Sequence, residues 1–198
     1  MKNLKLRTGV LAIAFLTLTV MSCKEAKKEQ NNDKGHNTEM NDDKSDSHKK
    51  EVVVNSKQDE NAETILKNYF NLKDALVGDN EAKAKELGAT LEKSLGNLDI
   101  SKYTNEQQAE LEEIVLDAEE HAEHISESPI AHQREHFKIL SKDVTDMVAI
   151  TGTANTLYEQ FCPMYDKGSA WLSMSKDVKN PYYGSKMLTC GKVQKEIN

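Results

Sequence analysis

The fold of this 198-residue chain is decided by residues 105–150, which read NEQQAELEEIVLDAEEHAEHISESPIAHQREHFKILSKDVTDMVAI. Apolar residues recur there every three or four positions on both sides of Ser128-Pro129, which is the spacing of a buried helix face. The pattern predicts two helices, over about residues 105–126 and 129–150. The apolar positions that define the two faces are Leu111, Ile114, Val115, Ala118, Ala122, Ile125, Ile130, Phe137, Leu140, Val144, Met147 and Val148.

Two further helices are predicted upstream, over about residues 61–77 and 80–95, with Gly78 ending the first of them. Short connections favour antiparallel neighbours in a helical domain. The predicted fold class is therefore all-α: an up-down four-helix bundle over residues 59–198, with an irregular C-terminal tail, rich in Cys, Met and aromatic residues, packed on it.

The N-terminus has the pattern of an export signal. Three basic residues precede an apolar run of 11 residues, too short to span a bilayer, and the run ends at Cys23 in a sequence that resembles a lipobox. We expect residues 1–22 to be a lipoprotein signal peptide and Cys23 to be lipidated. Residues 23–58 would then be a disordered, charged tether, and the protein would be anchored to a membrane in the cell envelope, facing the periplasm or the cell surface.

Charge excludes one class of partner. Residues 59–198 contain 15 Lys and Arg against 25 Asp and Glu. An acidic domain of this kind repels phosphate backbones, so we expect no nucleic-acid binding. The same field would modestly concentrate cations.

The tail concentrates sulfur. Cys162 and Met164 are two residues apart, and Met187 and Cys190 are three apart, so each pair offers a thiol and a thioether on one side of its segment. Such soft donors select Cu(I), with Met174 as a further candidate ligand. The alternative is a Cys162–Cys190 disulfide, which two cysteines outside the cytoplasm also favour. The residues alone leave both open.

Four of the six histidines fall within 16 residues around Ser128. Antiparallel packing would bring His121 and His136 to one height, where they either meet in the shared groove or point apart. If they meet, they could join a metal site; otherwise they are polar residues on the flanks of their helices. His124 and His132 are expected to be exposed to solvent.

The tail sequence CPMYDKGSAWLS…NPYYGSKMLTCGKV resembles the DUF3347 family of bacterial envelope proteins, as do YFNLKDALVGDNEAKA (residues 69–84) and QREHFKILS (residues 133–141). The resemblance covers about residues 61–195. The family includes lone lipoproteins and domains fused to periplasmic adaptors of copper/silver efflux systems. It therefore implies heavy-metal handling, with Cys162, Met164, Met187 and Cys190 at the motif positions.

The leading hypothesis is an envelope-anchored protein that binds a heavy metal, most simply Cu(I), for buffering or delivery to an efflux adaptor. The alternative is a non-enzymatic structural or adaptor module held together by the disulfide. No catalytic triad, phosphate-binding glycine loop or close carboxylate pair occurs in the sequence, so we expect no enzyme.

Overall fold

A computed structural model describes residues 59–198; the predicted signal peptide (1–22) and tether (23–58), with Cys23, lie outside the described residues. This part of the chain contains four α-helices and a small sheet. No helix in it is long and apolar enough to cross a membrane. The helices are α1 (Glu60–Val77), α2 (Glu81–Leu95), α3 (Asn105–Glu127) and α4 (Ile130–Thr151), with a short 3-10 turn at Ile100–Lys102 before α3.

Local side-chain bonds define where the helices begin. The Asp59 carboxylate accepts from the N–H of Asn61 at 2.9 Å and caps α1. At α3, the N–H of Gln107 donates to the Thr104 hydroxyl, and the Gln107 side chain accepts from the Thr104 N–H in return. These bonds satisfy backbone donors that have no partner inside the helix.

The C-terminal region is a sheet, so the expectation of an all-α fold with an irregular tail is wrong there. Strands β1 (Leu157–Cys162), β2 (Ser169–Ser173) and β3 (Lys192–Ile197) form an antiparallel sheet in the order β2-β1-β3. A second 3-10 turn, Gly184–Met187, lies between β2 and β3. Helical structure still dominates the described residues.

Turn chemistry explains why this region forms strands. Pro163 directly follows β1 and lacks the N–H that a further ladder bond needs. Asp166, Lys167 and Gly168 then adopt φ angles of 42°, 64° and 117°, and this left-handed backbone reverses the chain into β2. β1 therefore meets β2 as a hairpin, and β3 adds to the other side of β1.

One core joins the helices to the sheet. Each helix packs on the next along the chain, α1 also packs on α4, and β2 packs on α4. The Tyr69 hydroxyl on α1 bonds to the Ser141 hydroxyl on α4 at 2.9 Å and accepts from the N–H of Leu172 on β2 at 3.1 Å. The largest fully buried side chains include Tyr69, Leu72, Leu76, Leu91, Leu111, Ile125, Phe137 and Trp171.

Candidate metal-binding sites

Cys162 and Cys190 form a disulfide, with their Cα atoms 5.7 Å apart. Cys162 is the last residue of β1 and fully buried, whereas Cys190 precedes β3 and is half-buried. The bond links neighbouring strands next to the Phe161–Lys192 pair of the ladder. The two sulfurs that the sequence singled out thus lie together, in the oxidised form. A thiolate is the form of cysteine that binds metal, so this form offers none.

Asn180 holds the segment that brings Cys190 to β1. Its buried amide donates to the Cys190 carbonyl at 2.8 Å, and its side-chain oxygen accepts from the N–H groups of Tyr182 and Tyr183 at 2.8 and 3.0 Å. These bonds satisfy polar groups that would otherwise be buried without partners. The position of Cys190 is therefore fixed by hydrogen bonds as well as by the disulfide.

Tyr183 connects the two segments that carry the predicted ligands Met164 and Met187. Met164 follows β1 and is exposed, and its carbonyl accepts from the Tyr183 hydroxyl at 2.9 Å. Met187 ends the 3-10 turn that begins next to Tyr183, and its carbonyl accepts from the Cys190 N–H at 3.0 Å. Met187 is 36% exposed, so both thioethers can be reached from solvent.

Met174 lies elsewhere. Cys162 pairs with Ser169 at the start of β2, and Met174 follows the other end of that strand. At about 3.3 Å per residue, the backbone positions of Ser169 and Met174 are about 16 Å apart. Met174 instead lines an open groove of about 450 Å³ beside Phe70 and Asp74 of α1. The structure does not bring it to the cysteines.

Arg134 fastens the tail to the helices. Its buried guanidinium donates to the Pro181 and Leu76 carbonyls, both at 2.9 Å, and to the Asp79 carboxylate at 2.5 Å. The second Asp79 oxygen accepts from the N–H of Ser185 at 3.0 Å. Bonds from Ser185 and then Arg134 lower the pKa of Asp79 to about 2. One cation thus joins α4, the α1–α2 turn and the tail.

The four histidines form a cluster centred on His136. Its Nδ1 lies 3.0 Å from Nδ1 of His121, across the α3–α4 contact, and its Nε2 lies 3.1 Å from Nε2 of His132, one turn back on α4. The His124 ring stacks on the His136 ring, with centroids 4.5 Å apart and planes within 9°. His121 and His136 are half-buried, and His124 and His132 are exposed as expected. The pair therefore meets in the groove.

The Glu135 carboxylate determines which histidine nitrogens in this cluster donate and which accept. Glu135 Oε2 lies 2.7 Å from His132 Nδ1, and a carboxylate oxygen accepts, so His132 donates there and its Nε2 accepts from His136. His136 Nδ1 then accepts from His121 Nδ1. The hydrogen-bond network thus assigns the tautomer of each of the three rings.

Burial favours the neutral form of the two central rings. It lowers the pKa of His121, and it lowers the pKa of His136 with help from the three neighbouring imidazoles. A neutral imidazole keeps a lone pair that can bind a metal ion.

Side chains of residues 59–198 include no group of three or more His, Cys, Asp or Glu arranged to hold a metal ion. The predicted ligands thus form two separate sets. One comprises Cys162 and Cys190 with Met164 and Met187 on the flanking segments. The other comprises His121 and His136 together with His124 and His132, the two exposed histidines that were not among the predicted ligands.

Fold and site together define a helical domain with a disulfide-linked C-terminal sheet. The family described as Protein of unknown function (DUF3347) matches residues 65–156 of the chain. The match confirms the predicted family over the four helices. The tail that carries both cysteines lies outside the matched residues, so its place in the family stays a prediction. No curated protein and no solved structure matches the chain.

Sequence reasoning missed Arg134 as the anchor of the tail and Asp143 as a buried carboxyl. Both lie at the spacing of the apolar face of α4: Arg134 is three residues before Phe137, and Asp143 is three residues after Leu140. A charged residue at a core position was therefore the available signal in both cases.

Proposed function

We propose that this protein is a non-enzymatic, lipid-anchored protein of the cell envelope that binds Cu(I) when Cys162 and Cys190 are reduced. The observation that carries the proposal is the adjacency of the two cysteines, with Cα atoms 5.7 Å apart, beside segments that carry Met164 and Met187. Thiolate and thioether sulfur prefer Cu(I) to hard ions.

The redox state would decide whether the site can bind. Exchange with an external dithiol supplies two electrons and two protons, leaves that dithiol as a disulfide, and converts Cys162 and Cys190 to two thiols. Cu(I) then displaces the thiol protons, because the thiolate is the ligand. The oxidised form offers only the thioethers, so the protein would take up Cu(I) in its reduced form and lose affinity on oxidation.

A competition titration tests this function. The full-length protein, reduced and kept anaerobic, is titrated with Cu(I) in the presence of a chromophoric chelator, beside the double variant Cys162→Ser, Cys190→Ser. We expect the wild type to take Cu(I) from the chelator and the variant not to. Equal affinities would refute the proposal.

Two methionine variants provide a matched comparison. Met187→Leu removes a thioether three residues from Cys190 and should weaken Cu(I) binding. Met174→Leu makes the same chemical change at the far end of β2 and should leave it unchanged, because Met174 lines the α1 groove. An equal loss in both variants would show that the proposed ligand set is incorrect.

A permanent structural crosslink is the second candidate, and the full burial of Cys162 favours it. The protein would then be an adaptor module whose disulfide persists in its native compartment. Mass spectrometry of protein isolated without reductant distinguishes the two: a persistent deficit of two hydrogens supports the crosslink, and a free dithiol supports the Cu(I) site.

Anchoring and delivery belong to the same proposal. Lipid on Cys23 would hold the domain at a membrane, and Cys23→Ser should release it into the soluble fraction. The Cu(I) would be passed to an efflux adaptor, which the family resemblance suggests. Cu(I) transfer from the loaded protein to a purified adaptor measures this step; an adaptor that gains no copper argues against it.

We also propose that the four helices alternate in direction. In support, the Asn61 side chain at the start of α1 donates to the Asn97 carbonyl just after α2, at 2.9 Å. The contact of His121 with His136 likewise matches positions on either side of the α3–α4 turn. Distances between paired spin labels at the helix ends measure the arrangement.

A further inference from the structure

We propose that the His121, His124, His132 and His136 cluster is a second metal site, specific for a borderline divalent ion such as Cu²⁺, and independent of the disulfide. It goes beyond the proposed Cu(I) function, because it uses other residues and a different class of ion. Imidazole nitrogen suits Cu²⁺, and Cu²⁺ has the highest affinity in the first-row divalent series.

The geometry centres on His136. Its two nitrogens each face another imidazole nitrogen, at 3.0 Å for His121 and 3.1 Å for His132. Two ligands at about 2.0 Å from one ion lie about 2.9–3.3 Å apart for square-planar to tetrahedral angles. Either contact therefore already has the spacing of two ligands on one ion, and each ring must turn so that its lone pair points at the ion instead of at the other nitrogen.

The remaining ligands come from exposed rings. A single ion uses one nitrogen of His136, so the two contacts are alternative starting points for the same site. His124 lies within ring contact of His136, with centroids 4.5 Å apart, and is free to rotate because it faces solvent. Rotation of His124 toward the ion supplies a third ligand that the stacked arrangement lacks.

The surroundings favour a cation. The Glu135 carboxylate bonds to His132 Nδ1 at 2.7 Å, and Glu120 lies 3.8 Å from His124 Nε2. Carboxylates in this position orient imidazole ligands and raise their basicity. The Cys162–Cys190 pair is bonded in a disulfide and offers no thiolate to this site.

The test uses the oxidised, full-length protein, in which Cys162 and Cys190 are bonded to each other. Cu²⁺ is titrated in a non-coordinating buffer, and affinity is measured by competition with a weak chelator. Removing a residue that only hydrogen-bonds to a metal ligand lowers metal affinity about 10–100-fold. His136 would be a ligand itself, so His136→Ala should lower the affinity for Cu²⁺ at least about tenfold. Electron paramagnetic resonance should show nitrogen coupling that this variant loses.

Three further variants make the result specific. His124→Ala removes an exposed ring that either starting contact would use as its third ligand and should weaken binding while leaving the fold intact. His132→Ala removes one of the two starting contacts and should weaken binding less. His36→Ala with His48→Ala removes the two other histidines of the chain and should have no effect. Unchanged affinity in His136→Ala, or loss only in the His36/His48 variant, would overturn the proposal. So would Cu²⁺ binding that requires the reduced protein, which would belong to the sulfur pair.

Discussion

Replacing Asp143 by asparagine should stabilise the domain at neutral pH. Asp143 lies on α4, is 7% exposed, and its Oδ2 is buried without a hydrogen-bond partner. Burial is the main cause that raises its pKa to about 6; Lys142 opposes the shift, and Asp117 and Asp146 add to it. An ionised carboxylate without a bonding partner is costly in such a position. Asparagine keeps the shape of the side chain and removes the charge.

The magnitude follows from proton linkage. An aspartate in the unfolded chain has a pKa of about 3.9, so the shift is about two units, and each unit corresponds to about 1.4 kcal/mol. Below about pH 4 both states hold the proton and the ionisation cost is absent. As the pH rises from about 4 to about 6, the unfolded state releases the proton before the folded state does, so the free energy of unfolding falls. Above about pH 6, Asp143 should cost up to about 3 kcal/mol.

The assay is urea unfolding of wild type and Asp143→Asn at pH 4, 6 and 8. We expect the variant to be more stable by about 1–3 kcal/mol at pH 8 and the difference to shrink toward zero at pH 4. Asp177→Asn changes an exposed aspartate outside the helices and controls for net charge. A variant no more stable than wild type at pH 8, or a difference independent of pH, would refute the reasoning.

Three other experiments test how the tail is held. Cys162→Ala with Cys190→Ala should lower the free energy of unfolding by about 3–4 kcal/mol, because the cysteines are 28 residues apart; wild type treated with dithiothreitol should match it in urea. Gly184→Ala should lower the melting temperature more than Gly152→Ala: both glycines have positive φ, but only at Gly184 would the new Cβ overlap other side chains. Arg134→Met leaves the buried Pro181 carbonyl without its donor and removes one bond each from the Leu76 carbonyl and the Asp79 carboxylate, and it should cost about 1–3 kcal/mol in urea unfolding; a cost below about 0.5 kcal/mol would contradict the anchoring role.

The helices could be predicted from sequence because their signals are local. The capping pair of Thr104 and Gln107, the glycine after α1 and the 3.6-residue apolar period each involve residues close in the chain. Strand β3 could not, since it pairs with β1 across about 30 residues of chain and its own residues are exposed. An exposed strand carries little of the apolar alternation on which such predictions depend.

The candidate sites likewise combine features that the sequence could predict with features that it could not. The approach of Cys162 to Cys190 was common to both alternatives that the sequence left open, and the disulfide is one of the two. The height at which His121 meets His136 followed from antiparallel packing, but the direction of the rings did not. His124 joins the cluster by stacking on His136, a contact between exposed side chains that depends on rotamers.

The contacts of helix α4 explain why the proposed histidine site and the proposed cysteine site are separate. Arg134 and Ser141, which bond to the tail and to Tyr69, are seven residues apart and share a face. His132 and His136 are one turn apart and share another. At about 100° per residue, Arg134 lies about 200° from each histidine, so the two faces point in nearly opposite directions. An ion at the proposed histidine site would therefore link α3 to α4 without altering the contacts that hold the tail and its disulfide.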